Sequence, residues 1–505
     1  MYRLFEILPG ALAWTTLFLM VLLSWKTPLF IAVFIILFDI YWLLKTVYLS
    51  LHLRATFTEM RRVMAADWLA KIKAEPNRAG RAWQDVYHLI VLPMYKEPYE
   101  VVRESFGSLL RSNYPRDKFF IVLATEARAG AEARMTAERL RTELAGQFGD
   151  FIVTSHPADR PGELAGKGSN EVWATQEAKR LIVDQRRVPY ENVLVSVFDV
   201  DTQVFPEYFG RLTYVFLNAP NRLRAIYQPV PLFTNNIYQA PALARVVSFS
   251  STFWQMMQQA RPERLTSFSS QSVPLPVILD IGYWQKDVVS EDSRVFWQGY
   301  LRYRGDFRCE PLVYPVSMDA NVAPTFWRTM LQTYKQHRRW AWGSENVAYL
   351  LDGFRRDTHI PFRKKLYWGF TTIEGYHSWA TNALMIFALG WLPVMIGGHA
   401  FNQTMLSYNL PQITRFIITL SMIGVATSAI LALVLLPPRP KWFGARHRML
   451  YFIQWFLMPI TLIVFGCIPA LEAQTRLMLS GRFRLGFWVT PKGRFDLRPK
   501  GPAKI

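Results

Sequence analysis

Cysteine is nearly missing. The 505 residues hold two, Cys309 and Cys467, far apart and one of them in an apolar stretch. That excludes a disulfide framework and a cysteine-built zinc site, and it fits a catalytic part kept in the reducing cytosol. A cleavable leader is not expected. Residues 8–25 are apolar, but no small-residue cleavage site follows and a second apolar segment begins at once. No internal repeat or low-complexity segment is readable. Acidic residues are scarce beside basic ones, 38 against 58, for a formal net charge of +20. Such an excess suits nucleic acid, anionic lipid or an anionic small substrate. In a membrane protein it belongs on cytoplasmic segments.

Long apolar runs are abundant, and they choose among these. The chain is 51% hydrophobic and 15% aromatic. Residues 8–24 and 28–51 are each long enough to span hydrocarbon, and only Trp-Lys-Thr separates them. They predict a transmembrane hairpin over 1–53. A basic linker follows over 54–84, with Arg54, Arg61, Arg62, Lys71 and Lys73, and it places the next region in the cytoplasm. Asp39 lies inside the second span. It suits an interhelical hydrogen bond or a pathway-lining group.

Residues 85–351 alternate strand-like runs (87–92, 119–124, 151–154, 193–198) with helix-like stretches such as 132–148 and 171–183. That alternation predicts one α/β domain built on a βαβ-type sheet. Residues 352–373 include a basic and aromatic run (Phe362, Arg363, Lys364, Lys365, Tyr367, Trp368) that predicts an interfacial helix. The C-terminal membrane region, 374–472, holds spans at 376–397 and 413–436. The loop at 398–412 has no Lys or Arg, whereas the next loop has Arg439, Lys441, Arg446 and Arg448, so the first is outside and the second inside. Residues 449–471 are apolar enough to span. However, the tail at 473–505 carries Arg476, Arg482, Arg484, Lys492, Arg494, Arg498, Lys500 and Lys504, and a simple crossing would put that charge outside. Pro459 and Pro469 could bend the segment into a re-entrant or surface-lying element. A cytoplasmic tail is expected.

Several polar motifs sit where these patterns end. The apolar run 193–198 stops at Asp199-Val200-Asp201. Carboxyl ends of strands in open α/β sheets bind ligands, and two carboxylates there suit a hard divalent cation shared with substrate phosphates. A turn or cap would use the same residues. The first strand ends in Pro93-Met94-Tyr95-Lys96-Glu97, a nucleotide-side loop or a proline-punctuated turn. Gly166-Lys167-Gly168-Ser169-Asn170 opens a helix and offers N–H groups to an anion, or simply an N-cap. Glu291-Asp292 either start a helix or supply a base for an acceptor hydroxyl. Gln336-His337-Arg338-Arg339-Trp340 reads as a membrane-facing basic helix, or as a diphosphate clamp with a flat platform for a sugar ring. Phe487-Trp488-Val489-Thr490-Pro491-Lys492 by itself is a loop.

Taken in order, these motifs resemble the inverting, membrane-integrated family 2 glycosyltransferases that include cellulose, chitin and hyaluronan synthases. The match covers roughly residues 85–345, from Pro-x-Tyr-x-Glu through Gly-Lys-x-x-Asn, D-x-D and E-D to Q-x-x-R-W, and the tail motif F-x-V-T-x-K is similar to the gating loop of cellulose synthases. The resemblance implies a Rossmann-like GT-A domain on the cytoplasmic side, inserted between N- and C-terminal transmembrane helices of an integral (inner) membrane protein. It implies Asp292 as general base, with Glu291 beside it. Asp201 would hold Mg²⁺ or Mn²⁺ together with Asp199. Pro93, Tyr95, Glu97, Lys167, Asn170, Asp199 and Asp201 would face a nucleotide-sugar donor, a UDP-sugar. Gln336, Arg339 and Trp340 would bind acceptor and diphosphate. Phe487, Val489, Thr490 and Lys492 would close over the donor, and an amphipathic membrane-surface helix would precede them.

The chain departs from the pattern in two places. Ala124-Thr125-Glu126-Ala127 stands where many relatives have an acidic pair, so Glu126 would substitute in contacting the nucleotide. The polymer synthases also usually have further spans after the gating loop, whereas this chain has about four in all. The first reading is therefore a processive polysaccharide synthase, and the second a single transfer to a lipid acceptor. A non-enzymatic basic membrane protein leaves the ordered acids unexplained, and no nucleic-acid partner is expected.

Overall fold

The computed structural model describes residues 1–493. Eight strands form one mixed sheet: β1 (Tyr87–Pro93), β2 (Phe119–Glu126), β3 (Asp150–His156), β4 (Val193–Val197), β5 (Gln203–Val204), β6 (Ala225–Phe233), β7 (Ser272–Pro274) and β8 (Arg308–Met318). Their order is β3-β2-β1-β4-β7-β6-β8-β5. The pairs β3-β2, β2-β1, β1-β4 and β6-β8 are parallel, while β7 runs antiparallel to both β4 and β6.

The central strands are apolar throughout because both of their faces are covered. Ile90, Leu92, Ile121 and Leu123 pack on one side, with the helices Tyr99–Leu110, Ala131–Glu143 and Tyr208–Asn218. Leu89, Val91, Phe120 and Val122 pack on the other, with Lys167–Ala178, Leu275–Asp280 and Glu291–Arg302. The carboxyl ends of β1, β2 and β4 share one edge. The start of β7 lies there too, since Ser196 pairs with Ser272. The Pro93 loop, Glu126, the Asp199 turn and the Ser267–Gln271 approach to β7 therefore converge.

Among the described residues, four helices are long and apolar enough to cross a membrane: Tyr2–Lys26, Pro28–Met64, Met405–Val434 and Ala445–Leu479. A pair bent by 49°, Phe362–Phe387 with Leu389–Ile396, passes the same test together. The interfacial stretch and the third span expected as separate elements are thus one continuous helix as far as Phe387. At one end of the bundle Gly397 meets the first hairpin, where an added Cβ would lie 2.8 Å from Pro28 Cβ. The turn at Thr27 and the uncharged loop after Ile396 therefore lie at the same end.

The 35 residues Ala445–Leu479 are long enough to cross. Yet contacts toward both ends rest on the sheet domain. Arg245, on the helix Ala242–Gln259, donates to Gln454 Oε1 at 2.8 Å, and Tyr334 donates to Glu472 Oε2 at 2.7 Å. The stretch between those contacts is shorter than the roughly 20 residues a transmembrane helix needs.

Candidate active site

All the candidate residues read from the sequence line one cavity of about 910 Å³. It begins at the carboxyl edge of the sheet and continues between the long apolar helices to Asp39, Asn382, Ser421 and Ser428.

Two lysines organise the acids at its mouth. Asp199 Oδ1 lies 2.9 Å from Lys167 Nζ, and its Oδ2 accepts from Ser269 at 2.9 Å. Burial alone would raise the pKa of Asp199, but Lys167 and then Lys492 outweigh it and hold the carboxylate well below its ordinary value. Lys167 also donates to both Asp292 oxygens, at 3.0 and 2.9 Å. Gln271 approaches Asp292 Oδ1 at 3.3 Å, and Ser267 donates to the Asp292 carbonyl at 2.6 Å. Burial disfavours the charged form of Lys167, yet Asp199, Asp292, Glu171 and Glu291 outweigh it, so the ammonium is raised above its ordinary value. Glu291, at the first turn of Glu291–Arg302, is fully buried. Burial, followed by the charge of Asp292, pushes it up to about 8.

Asp201 Oδ2 accepts from Lys492 Nζ at 2.8 Å and from the Asp319 N–H at 2.8 Å. Its other oxygen is buried with no hydrogen-bond partner among the described residues. An orphaned carboxylate oxygen beside a second aspartate suits a hard cation, so the residues present fit Mg²⁺ or Mn²⁺.

The residues expected on the nucleotide side are partly engaged. Glu97 accepts from the Tyr95 N–H at 2.7 Å, and burial raises its pKa. Arg128 stacks over Tyr95, 4.6 Å from the ring centroid, and donates to Glu126 at 2.5 Å. Asn170 spends its amide N–H on the Ala124 carbonyl at 2.7 Å, tying its helix to β2, and leaves its Oδ1 without a partner among the described residues. Pro93 ends β1.

On the far wall the helix Phe326–Ala341 carries Gln336, Arg339 and Trp340. Trp340 is braced by Phe233, Phe268 and His337, with ring centroids 6.0, 5.7 and 4.8 Å away. Arg339 Nε is buried without a partner among the described residues, a donor available to an anion.

The tail motif lines the same cavity. Phe487 sits so near Gly166 that a Cβ there would be 2.6 Å from its Cγ, and the Arg339 guanidinium lies 5.1 Å from the Phe487 ring centroid. Lys335 lies 5.6 Å from the ring centroid of Trp488. Val489 faces the cavity and Thr490 is buried. Of the basic tail, Arg494, Arg498, Lys500 and Lys504 lie outside the described residues.

Sequence reasoning missed Glu171, Ser267, Ser269 and Gln271. A polar run (Ser267, Ser269, Ser270, Gln271) just before a buried strand at the ligand edge was the available signal for the last three. A lone glutamate inside a helix gave none.

No protein-family model matches the chain, and no curated protein does. Solved structures give distant likenesses. One is the mannosyltransferase PcManGT from Pyrobaculum calidifontis in complex with GDP-Man and Mn²⁺, with 14% identity, covering 82% of this chain and 99% of that one, at a TM-score of 0.39. Another is S. aureus TarS 1-349 in complex with UDP-GlcNAc, with 10% identity, covering 68% and 90%, at a TM-score of 0.35. Both superpositions are too loose to bear on what this chain does.

Proposed function

We propose that the chain is a membrane-integrated glycosyltransferase that moves a sugar, with inversion, from a nucleotide-sugar donor to a growing polysaccharide. One observation carries this reading. Residues from every motif, scattered from Pro93 to Lys492, line a single cavity that joins the sheet edge to the membrane helices. The D-x-D and Q-x-x-R-W resemblance supports the same roles.

In this reading a UDP-sugar lies along Pro93, Tyr95, Glu97, Glu126 and Asn170, with its diphosphate between Asp199, Asp201 and Arg339. Asp201 and Asp199 would hold Mg²⁺ or Mn²⁺, which supplies charge neutralisation for the leaving diphosphate when bound. Asp292 takes the proton from an acceptor hydroxyl. That oxygen attacks the anomeric carbon from the face opposite the diphosphate, the sugar–phosphate bond breaks, and the nucleoside diphosphate carries the electron pair away. Lys167, Arg339 and Lys492 oppose the charge developing on it. Phe487, Val489, Thr490 and Lys492 cover the donor and exclude water. Trp340 and Gln336 hold the acceptor end.

The contacts of Ala445–Leu479 with the sheet domain near both ends support a surface-lying segment, with the tail and the sheet domain on the cytoplasmic side of the inner membrane. A single transfer to a lipid acceptor is the second reading. The cavity's continuation to Asn382 and Ser421 favours it, together with the small number of spans.

A panel of nucleotide sugars, offered to the purified full chain in membranes, tests the proposal. Release of nucleoside diphosphate with a long carbohydrate product is expected. A product carrying one sugar on lipid selects the second reading, and no turnover of any donor overturns both.

A further inference from the structure

Glu171 belongs to no motif read from the sequence, and it does not line the cavity. It is fully buried on the helix Lys167–Ala178, one turn beyond Lys167. Its Oε1 lies 3.4 Å from Lys167 Nζ, and neither carboxyl oxygen makes a hydrogen bond among the described residues. Burying a carboxyl this way is costly. Helix stability does not explain it either, because lysine preceding glutamate by four residues is the weaker order for such pairs.

The surroundings supply a reason. Carboxyl oxygens of Glu171, Glu291 and Asp292 come within 4.8 Å of one another. Gly168 makes this approach possible, since a Cβ there would lie 3.3 Å from Glu291 Cβ. The cation among these acids is the Lys167 ammonium, which reaches on to Asp199 at 2.9 Å and Asp292 at 2.9 Å. One ammonium thus ties the donor-side acid to the base. A lysine head on a flexible four-carbon stem does not hold such a position unaided.

We propose that Glu171 is a positioning residue of the transfer reaction, fixing the Lys167 ammonium between Asp199 and Asp292 so that donor-side acid and base keep one register. This rests on the glycosyltransferase reading given above. Glu171 acts only through Lys167. Glu171 lines no part of the cavity itself, so its loss misplaces Lys167 and the base rather than deleting a group that binds the donor.

Three variants test it. Glu171→Gln keeps the shape and one acceptor oxygen, Glu171→Leu keeps the volume without an acceptor, and Glu171→Asp withdraws the acceptor by one methylene. Misplacement near 1 Å costs about 100-fold, so Glu171→Leu should lower kcat by at least about tenfold. Donor KM should stay within about threefold, the pattern of an interaction used in the transition state. Glu171→Gln should restore most of kcat.

A second readout does not depend on turnover. Reductive methylation of the full chain, read by peptide mass spectrometry, reports how accessible Lys167 is. Wild type and Glu171→Gln should protect it, whereas Glu171→Leu should label about tenfold faster, as locally loosened sites do. Wild-type kcat in the Leu variant, or undiminished protection of Lys167, overturns the proposal. If Glu171→Leu fails to fold, the same two measurements on Glu171→Asp decide. A wild type that turns over no nucleotide sugar sinks the enzymatic reading, while the labelling still rules on Glu171.

Discussion

Lys492 places its ammonium 2.8 Å from Oδ2 of Asp201, a residue 291 positions earlier in the chain. Burial would favour neutral Lys492, but Asp201, then Asp319 and Asp199, keep it protonated and raise its pKa. The tail thus neutralises from one side a carboxylate whose other oxygen has no hydrogen-bond partner among the described residues. Asp201→Asn should abolish Mn²⁺ binding, measured by calorimetry on the full chain, and cut transfer by about 100-fold or more, the scale on which such electrostatic groups act. Full transfer in excess EDTA would refute the cation's role.

Asp292 offers a different test. Its two oxygens face Lys167, and its carbonyl is held by Ser267. Asp292→Asn preserves the shape and removes the proposed base. Transfer should fall by about 100-fold or more, in line with general-base contributions, while nucleoside diphosphate binds as before. A normal transfer rate would show that the proton goes elsewhere.

Gly166 lies directly against the Phe487 ring of the tail. A methyl group there would lie 2.6 Å from Phe487 Cγ. Overpacking of this kind costs about 1–3 kcal/mol, so Gly166→Ala should weaken donor binding by roughly tenfold, and protease should cut the tail sooner. Deleting residues 485–505 should go further, crippling transfer while the sheet domain keeps its thermal transition. Unchanged donor binding and cleavage in Gly166→Ala would leave Phe487 no part in closure.

Glu291 ties stability to pH. Its pKa rises from an ordinary 4.5 to about 8, first through burial and then through Asp292. The folded protein holds this proton where the unfolded chain has released it. The stabilisation is therefore complete below about pH 4.5, declines as pH rises, and is gone above about pH 8. Buried His88, lowered to about 3, gives the opposite slope, but below pH 6.5. Between pH 6.5 and 8 the wild-type thermal midpoint should fall more steeply than that of Glu291→Gln. Parallel curves would show that Glu291 titrates normally.

Topology can be read by labelling. Ser480, just after Leu479, becomes a probe as Ser480→Cys in a chain freed of Cys309 and Cys467. An impermeant maleimide should reach it only in opened cells. Labelling from outside intact cells would refute both the cytoplasmic tail and the lid.

The strands that build the site edge were legible because their runs are apolar and β-branched, as sandwiched strands must be. The other half of the sheet was not. Pro229 and Pro231 interrupt β6, and Pro311 and Pro315 interrupt β8, breaking the residue pattern by which strands are recognised. Asp199, Asp201, Asp292 and Trp340 stood out because their motifs carry chemistry at fixed spacing. Glu171 did not, because a helix position gives no sign of the acids that another helix will bring to it. The packing of Phe487 on Gly166 was equally hidden, since it depends on how the segment Ala445–Leu479 returns to the sheet domain.

On the lipid-acceptor reading, the cavity that runs from the acids in among the long apolar helices would separate the two substrates by phase. A donor dissolved in water meets the site at a concentration per volume, whereas an acceptor reached between the helices is counted per lipid. Diluting the bilayer with inert lipid would then slow turnover without shifting donor saturation. Nucleoside diphosphate would compete with the donor alone, whatever the acceptor's surface density.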